Sequence, residues 1–319
     1  MKHASSTTAG KRTTHARRTG TAVGLAALLA AASLAGAAPA DASSLTHAHT
    51  VDIVGTNTMT TDSYRIDTHG TVPAGLVKIR FRNLGTMDHQ AQLFRLNDGV
   101  SWTKFLTDLH GPNPFVALFG DSAAAGGAAV IHAGGDQTVY EAVQGGTYAV
   151  ICLVSDNGVP HFDLGMIAEL AVAGSETPQQ LAAVHPEGHV DGVITAHDMT
   201  YTMPSVIRDN GLYRYQDTDA MDVHELTFGR LLPGKTAADA KAWFASFAAP
   251  GGPVGPQPFV YAGGFGGEVP GGGGWVRADL KPGNYVAFCL VPDDTTGLPH
   301  AAMGMVVGFT AVHGDGDGD

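Results

Sequence analysis

The 319-residue sequence has only two cysteines, and both sit in the same company. Cys152 is followed, with eight residues between, by His161 and then, with four between, by Met166; a further histidine, His89, lies well upstream. Cys289 is followed, with ten residues between, by His300 and then, with four between, by Met305, and His224 lies upstream. Two imidazoles and a thiolate can surround a metal ion in a trigonal plane while a thioether approaches weakly along the axis, which is the ligand set of a blue-copper site. Soft sulfur donors select copper, the two histidines fix the plane, and the methionine tunes the potential. These residues therefore predict type 1 copper, one or two ions per chain, at His89, Cys152, His161 and Met166 and at His224, Cys289, His300 and Met305.

Such a site needs a strand that ends in the cysteine, a loop that returns histidine and methionine, and a neighbouring strand for the distant histidine. The chain offers these twice. Asp88-His89-Gln90-Ala91-Gln92-Leu93-Phe94-Arg95-Leu96 returns as Val223-His224-Glu225-Leu226-Thr227-Phe228-Gly229-Arg230-Leu231. Gly146-Thr147-Tyr148-Ala149-Val150-Ile151-Cys152-Leu153-Val154 returns as Gly283-Asn284-Tyr285-Val286-Ala287-Phe288-Cys289-Leu290-Val291. Two homologous units over 50–173 and 191–312 explain this, joined by a polar linker at 174–190 that holds two prolines. Leu76–Phe81, Gln137–Val143 and Thr147–Val154 carry strand patterns. Helical spacing is confined to Trp102, Phe105, Leu106 and Leu109 and to a stretch opened by Thr236 and Asp239 before Trp243, Phe244 and Phe247. The expected fold is all-β, two tandem Greek-key β-sandwiches with short helical inserts.

Composition agrees. Charged residues are 15% of the chain, against about 25% in typical domains, and the 43 glycines are about twice the usual share, which suits strands and turns better than helices. Residues 1–20 carry five basic side chains and no acid, the apolar run 21–38 follows, and small residues at 38–42 suit a signal peptidase. A signal peptide over 1–40 implies a secreted, extracytoplasmic protein with no membrane span in the mature chain. Residues 41–49 read as a disordered N-terminal segment and 313–319 as an acidic tail. Without 1–40 the chain keeps 13 basic and 30 acidic residues, a net charge of −17, which excludes nucleic acid as a natural partner.

The motifs Pro160-His161-Phe162-Asp163-Leu164-Gly165-Met166 and Pro299-His300-Ala301-Ala302-Met303-Gly304-Met305 resemble the ligand loops of the cupredoxin family, pseudoazurins and plastocyanins among them. Their Cys-to-His loops are shorter, but the type 1 domain of copper nitrite reductases is similar to the first unit in its spacing. Gln90 and Glu225 stand where many members have asparagine. The resemblance implies one-electron transfer or copper handling, with an extracytoplasmic redox protein as the partner. Copper nitrite reductases place catalytic-copper histidines where this chain has Phe94 and Ile151, and Gly229 and Phe288 in the second unit. Multicopper oxidases need paired His-x-His motifs, and only His47-Ala48-His49 is present here. A copper carrier is thus favoured over a copper oxidoreductase related to nitrite reductase. A third reading is a metal-free binding or structural module that kept the sandwich.

Each cysteine also has a packing reading, because cysteine is among the most buried residue types. A Cys152–Cys289 disulfide would require equivalent strand ends of the two units to approach within about 6 Å at Cα. His132, on an apolar stretch, reads as a strand histidine. The glycines among 263–274 read as a flexible connection between strands. His47 and His49 read as solvated chain, and Asp315, Asp317 and Asp319 lack the rest of a calcium loop.

Overall fold

In the computed structural model, which describes residues 47–58 and 61–314, the alternating segments become strands. The first half runs β1 (His49–Asn57), β2 (Asp62–Asp67), β3 (Val72–Pro73), β4 (Gly75–Asn83) and β5 (His89–Leu96), then helices α1 (Trp102–Leu109) and α2 (Pro114–Asp121). It continues through β6 (Ser122–Ile131), β7 (Asp136–Val143), β8 (Gly146–Ile151), the short β9 (Ser155–Asp156) and β10 (Val159–Pro160), and β11 (Ile167–Ala173). After helix α3 (Pro178–Leu181) the second half runs β12 (Gly192–His197), β13 (Thr200–Thr202), β14 (Val206–Arg208), β15 (Gly211–Asp217), β16 (His224–Leu231) and α4 (Ala237–Ala245). It closes with β17 (Phe259–Glu268), β18 (Trp275–Ala278), β19 (Gly283–Phe288) and β20 (Val306–Val312).

In each half a four-stranded sheet packs on a five-stranded one. The first pair is β7-β4-β1-β2 on β6-β5-β8-β11-β3, the second β18-β15-β12-β13 on β17-β16-β19-β20-β14. The halves repeat strand for strand, including the parallel pairs β1 with β4 and β12 with β15. They also join. β6 pairs antiparallel with β17 and β7 with β18, so the sheets merge into one of ten strands and one of eight. Ala128 faces Phe265 and Val139 faces Val276, and each of these pairs is separated in sequence by the same interval as Cys152 and Cys289. The seam is therefore a pseudo-two-fold that each half makes with its own equivalent strands, hiding four edges that would otherwise expose unpaired backbone. One core runs through it, from Val51, Ile53 and Phe81 to Tyr213, Phe265 and Phe309.

The glycines among 263–274 do not form a flexible connection. Gly263, Gly264, Gly266 and Gly267 lie inside β17, where Gly264 has φ +136° and a Cβ would collide with the Leu226 carbonyl. Bare backbone is what lets β16, β17 and β6 approach this closely; only 271–274 make the turn to β18. His132 lies just past β6 and is exposed, its Nδ1 2.8 Å from the Ala133 carbonyl oxygen. The connection 174–190 is anchored by a Thr177–Gln180 capping box and by Val184, buried with Leu76, Leu212 and Trp275.

The helical inserts cover the outer face of the ten-stranded sheet. Ser101 caps α1, and its Phe105 and Leu109 lie with Phe94, Ala149 and Ile151 in an apolar layer. A Thr236–Asp239 capping box opens α4, whose Phe244 packs on Phe259 and Phe288. Full burial of a phenylalanine of this kind contributes roughly 2–3 kcal/mol. The signal-peptide segment, residues 41–46 and 315–319 lie outside the described residues, whereas His49 already belongs to β1. Among the described residues no helix is long and apolar enough to cross a membrane.

Candidate metal centres

His89 opens β5 and Cys152 follows the last residue of β8. The loop after the cysteine is folded back by its own backbone. His161 N donates to Val154 O at 2.8 Å, Met166 N to His161 O at 2.9 Å, and Cys152 N to Met166 O at 3.1 Å. Gly165 holds φ +108°, the left-handed region that favours glycine, and this turn delivers Met166 beneath the histidine. Gly55 of β1 leaves space for the methionine: a Cβ there would come 2.8 Å from the Met166 methyl. His89, Cys152, His161 and Met166 are all fully buried.

The donor atoms converge. His89 Nδ1 lies 3.0 Å from His161 Nδ1, and Cys152 Sγ lies 3.8 Å and 3.5 Å from those two nitrogens. A circle through three points so spaced has a radius of about 2.0 Å, the length of a metal–imidazole bond and close to a metal–thiolate one. The second half repeats this triangle. His224 Nδ1 and His300 Nδ1 are 3.1 Å apart, and Cys289 Sγ is 3.9 Å and 3.5 Å from them. The imidazole planes meet at 64° in one site and 65° in the other. Cys289 and Met305 are fully buried, and Met305 N donates to His300 O at 3.1 Å.

The longer Cys-to-His spacing of the second half does not disturb this. In the first half Ser155 pairs with Pro160 and Asp156 with Val159, closing a hairpin through Asn157 and Gly158. In the second, Pro292 pairs with Pro299 at the equivalent rung, and the extra residues fill a turn in which Asp293 accepts from Thr295 N, Thr296 N and the Thr296 hydroxyl. The two added residues thus lie outside the rung that positions the histidine.

The free cysteines are each buried beside their own histidine pair, which excludes the Cys152–Cys289 disulfide. Burial pushes the Cys152 thiol up to about 12 and the Cys289 thiol well above its usual value. Burial, and then the neighbouring imidazole, push His89 down to about 4 and lower His300; burial also lowers His161. Neutral imidazoles keep a lone pair for a ligand, while a thiol in so dry a place needs a cation to become a thiolate. Negative groups stand close by. Asp62 Oδ2, buried with no hydrogen-bond partner among the described residues, lies 3.6 Å from His161 Nδ1. Asp219 Oδ2 lies 3.4 Å from His224 Nε2, and backbone N–H bonds from Met221, Asp222 and Asp198 hold its carboxyl below the usual range. Three converging donors with a carboxylate at the rim fit a soft cation.

Several supporting residues carry no motif of their own. The Tyr64 hydroxyl donates to the Gln90 carbonyl and the Tyr201 hydroxyl to the Glu225 carbonyl, so each half ties the residue after its first histidine to its other sheet. Asn83 and Asp217 organise the loops before those histidines; Asn83 donates to Met87 O, and Asp217 accepts from His224 N. Asn57 Oδ1 lies 3.4 Å from His89 Nε2. The two tyrosines were recoverable from the repeat, since Ser63-Tyr64-Arg65 and Thr200-Tyr201-Thr202 keep the interval of the cysteines. Asn57 and Asp62 have no such signal.

No protein-family model matches the chain, and no curated protein matches it. Among solved structures it is similar to a reduced auracyanin from Roseiflexus castenholzii, at 18% identity over 39% of this chain and 99% of that one, with a TM-score of 0.26. It is similar to auracyanin A, a blue copper protein from Chloroflexus aurantiacus, at 22% identity over 39% and 98% of the two chains, TM-score 0.24. A copper-containing nitrite reductase from Thermus scotoductus matches at 12% identity over 82% of this chain and 61% of its own, TM-score 0.21. In its own strand order the chain is two tandem β-sandwiches, each holding one buried His-Cys-His triangle. Phe94, Ile151 and Phe288 belong to the apolar layers beneath the helices.

Proposed function

We propose that the chain is an extracytoplasmic copper protein with two type 1 sites, His89, Cys152, His161 and Met166 in one half and His224, Cys289, His300 and Met305 in the other, and that it passes single electrons to a redox partner. The observation that carries this reading is the near-identity of the two donor triangles across loops of different length. When bound, copper cycling between its two oxidation states supplies the one-electron step. The protein's part is to hold the donors in place. The rings are fixed from outside by Asn57 and Asp219, the cysteines by the ends of β8 and β19, and the buried methionines close each site to water. Donors that move little between oxidation states keep reorganisation small. Export is supported by the basic, apolar and small-residue pattern of residues 1–40.

Titration of the purified protein with Cu(II) should give an intense visible absorption that saturates at two ions per chain. Cys152→Ser and Cys289→Ser should each remove one ion and about half of the absorption. A protein that stays colourless with both thiols titratable refutes the reading. Saturation at one ion, lost in only one of the two variants, refutes it for the other half.

A further inference from the structure

Between the two halves, on the pseudo-two-fold seam, lies a cavity of about 270 Å³ that neither metal site uses. Its walls come from both halves. Leu153 and Leu290, which directly follow the two cysteines, line it together with Phe94 and, at its mouth, the half-exposed Phe119 of α2. Gln90 and Glu225, each next to a first histidine, also line it, and both are buried. Their bonding is incomplete. Glu225 Oε1 accepts from Leu290 N at 3.0 Å and from the Thr227 hydroxyl at 2.9 Å, but its Oε2 and the whole side-chain amide of Gln90 have no hydrogen bond among the described residues. Both groups reach the space of the cavity, where water or a bound polar group can meet them.

The two groups occupy equivalent places in the register. β5 slips against β6 between His89 and Ala91, and β16 slips against β17 between His224 and Leu226. In each case two residues of β5 or β16 span three of β6 or β17, so the extra residue belongs to β6 or β17, and Gln90 and Glu225 stand opposite the bulge. The two groups face a space whose other walls are mostly apolar, with Gln92, Ser155 and Tyr261 the further polar residues. An apolar cavity of about 150 Å³ accepts a benzene ring, so this one has room for one or two fused rings.

We propose that this cavity binds a small uncharged aromatic molecule bearing a hydroxyl, its rings between the leucine and phenylalanine walls and its O–H donated to Glu225 Oε2, with the Gln90 amide donating to the same oxygen atom. The cavity adjoins both metal centres but is lined by none of their ligands, so binding is tested on metal-free protein. In isothermal titration of the full chain, 2-naphthol should bind at one per chain and about tenfold more tightly than naphthalene, the ratio expected for one hydrogen bond to a buried acceptor. Ala124→Phe, which fills the cavity from its wall, should abolish binding of both. Phe119→Asp, at the mouth on a half-exposed helix face, should weaken both at least tenfold without entering the core. The double variant Gln90→Leu, Glu225→Leu should keep naphthalene binding and lose the preference for naphthol. No saturable binding to the unmodified chain, equal affinity for the two probes, or binding indifferent to Phe119→Asp would each overturn the proposal.

Discussion

The seam between the halves buries carboxyl groups, and two of them set a pH dependence that can be worked through. Glu141 of β7 and Glu268 at the end of β17 are each at least nine-tenths buried; among the described residues Glu141 Oε2 has no hydrogen-bond partner, and Glu268 Oε1 accepts from Val269 N at 3.1 Å. Burial pushes Glu268 up to about 8 from an ordinary 4.5, and burial, then the charge of Glu268, pushes Glu141 well above the same value. A carboxyl whose folded pKa lies above its unfolded one contributes stability below the unfolded value and loses it as pH climbs through the folded value. Between pH 5 and pH 8, Glu268 alone should therefore cost the metal-free protein about 3 kcal/mol, at about 1.4 kcal/mol per pH unit once the unfolded chain has ionised.

Replacing Glu268 with glutamine removes this titration and keeps the side-chain volume. Urea unfolding of metal-free protein at several pH values should show the unmodified chain losing stability from pH 5 to pH 8. Glu268→Gln should lose about 3 kcal/mol less. The slope does not vanish, because burial also raises Glu141 and, to about 7, Glu225, and both act in the same direction. On the acid side His89, pushed down to about 4 by burial, works the other way: its contribution is complete above about pH 6.5 and is lost as pH falls through 4. A Glu268→Gln protein whose stability falls as steeply as that of the unmodified chain would refute the buried-carboxyl account of the seam.

Two further predictions concern glycines that position the seam and the sites. Gly264→Ala combines φ +136° with a collision against the Leu226 carbonyl and should cost more than about 3 kcal/mol in urea unfolding. Gly271→Ala, at φ +83° with open space around it, should cost only about 1–2 kcal/mol; equal costs would show that close strand approach is not what β17 requires. Gly165 and Gly304 share a left-handed turn before each methionine, but a Cβ at Gly165 would meet the Asp62 carbonyl at 2.8 Å whereas Gly304 faces open space. Alanine at 165 should thus weaken copper uptake by the first site more than alanine at 304 weakens the second, read as the metal-binding midpoint of each half in the corresponding Cys→Ser background.

What could be seen in the chain before its structure was the part that repeats. His89 and His224, the cysteines, and the Pro-His and Gly-Met pairs recur in order, and a duplicated pattern tests itself: core packing has no need of a histidine at the same place twice. The strand assignments followed because Leu76–Phe81 and Gln137–Val143 alternate by residue type. The seam was hidden for a physical reason. β5 and β16 are buried along almost their whole length on both faces, which removes the alternation that would mark a face, and β17 is built of Gly-Gly steps whose role is steric and leaves no apolar signature. A glycine-rich run reads as loose chain when its neighbours are unknown; the carbonyl of Leu226 beside Gly264, and that of Gly126 across the junction beside Gly266, turn it into closely approaching strands. The same logic applies to the loops. Eight and ten residues look like a disagreement between the two sites until the Ser155–Pro160 and Pro292–Pro299 rungs show that the spacing which matters runs from the cysteine to the rung and from the rung to the histidine. Those two intervals are identical in both halves, and the number of residues beyond the rung is free to change. A linear count mixes constrained and unconstrained residues, so it understated the likeness of two sites whose donor atoms differ in separation by no more than 0.1 Å.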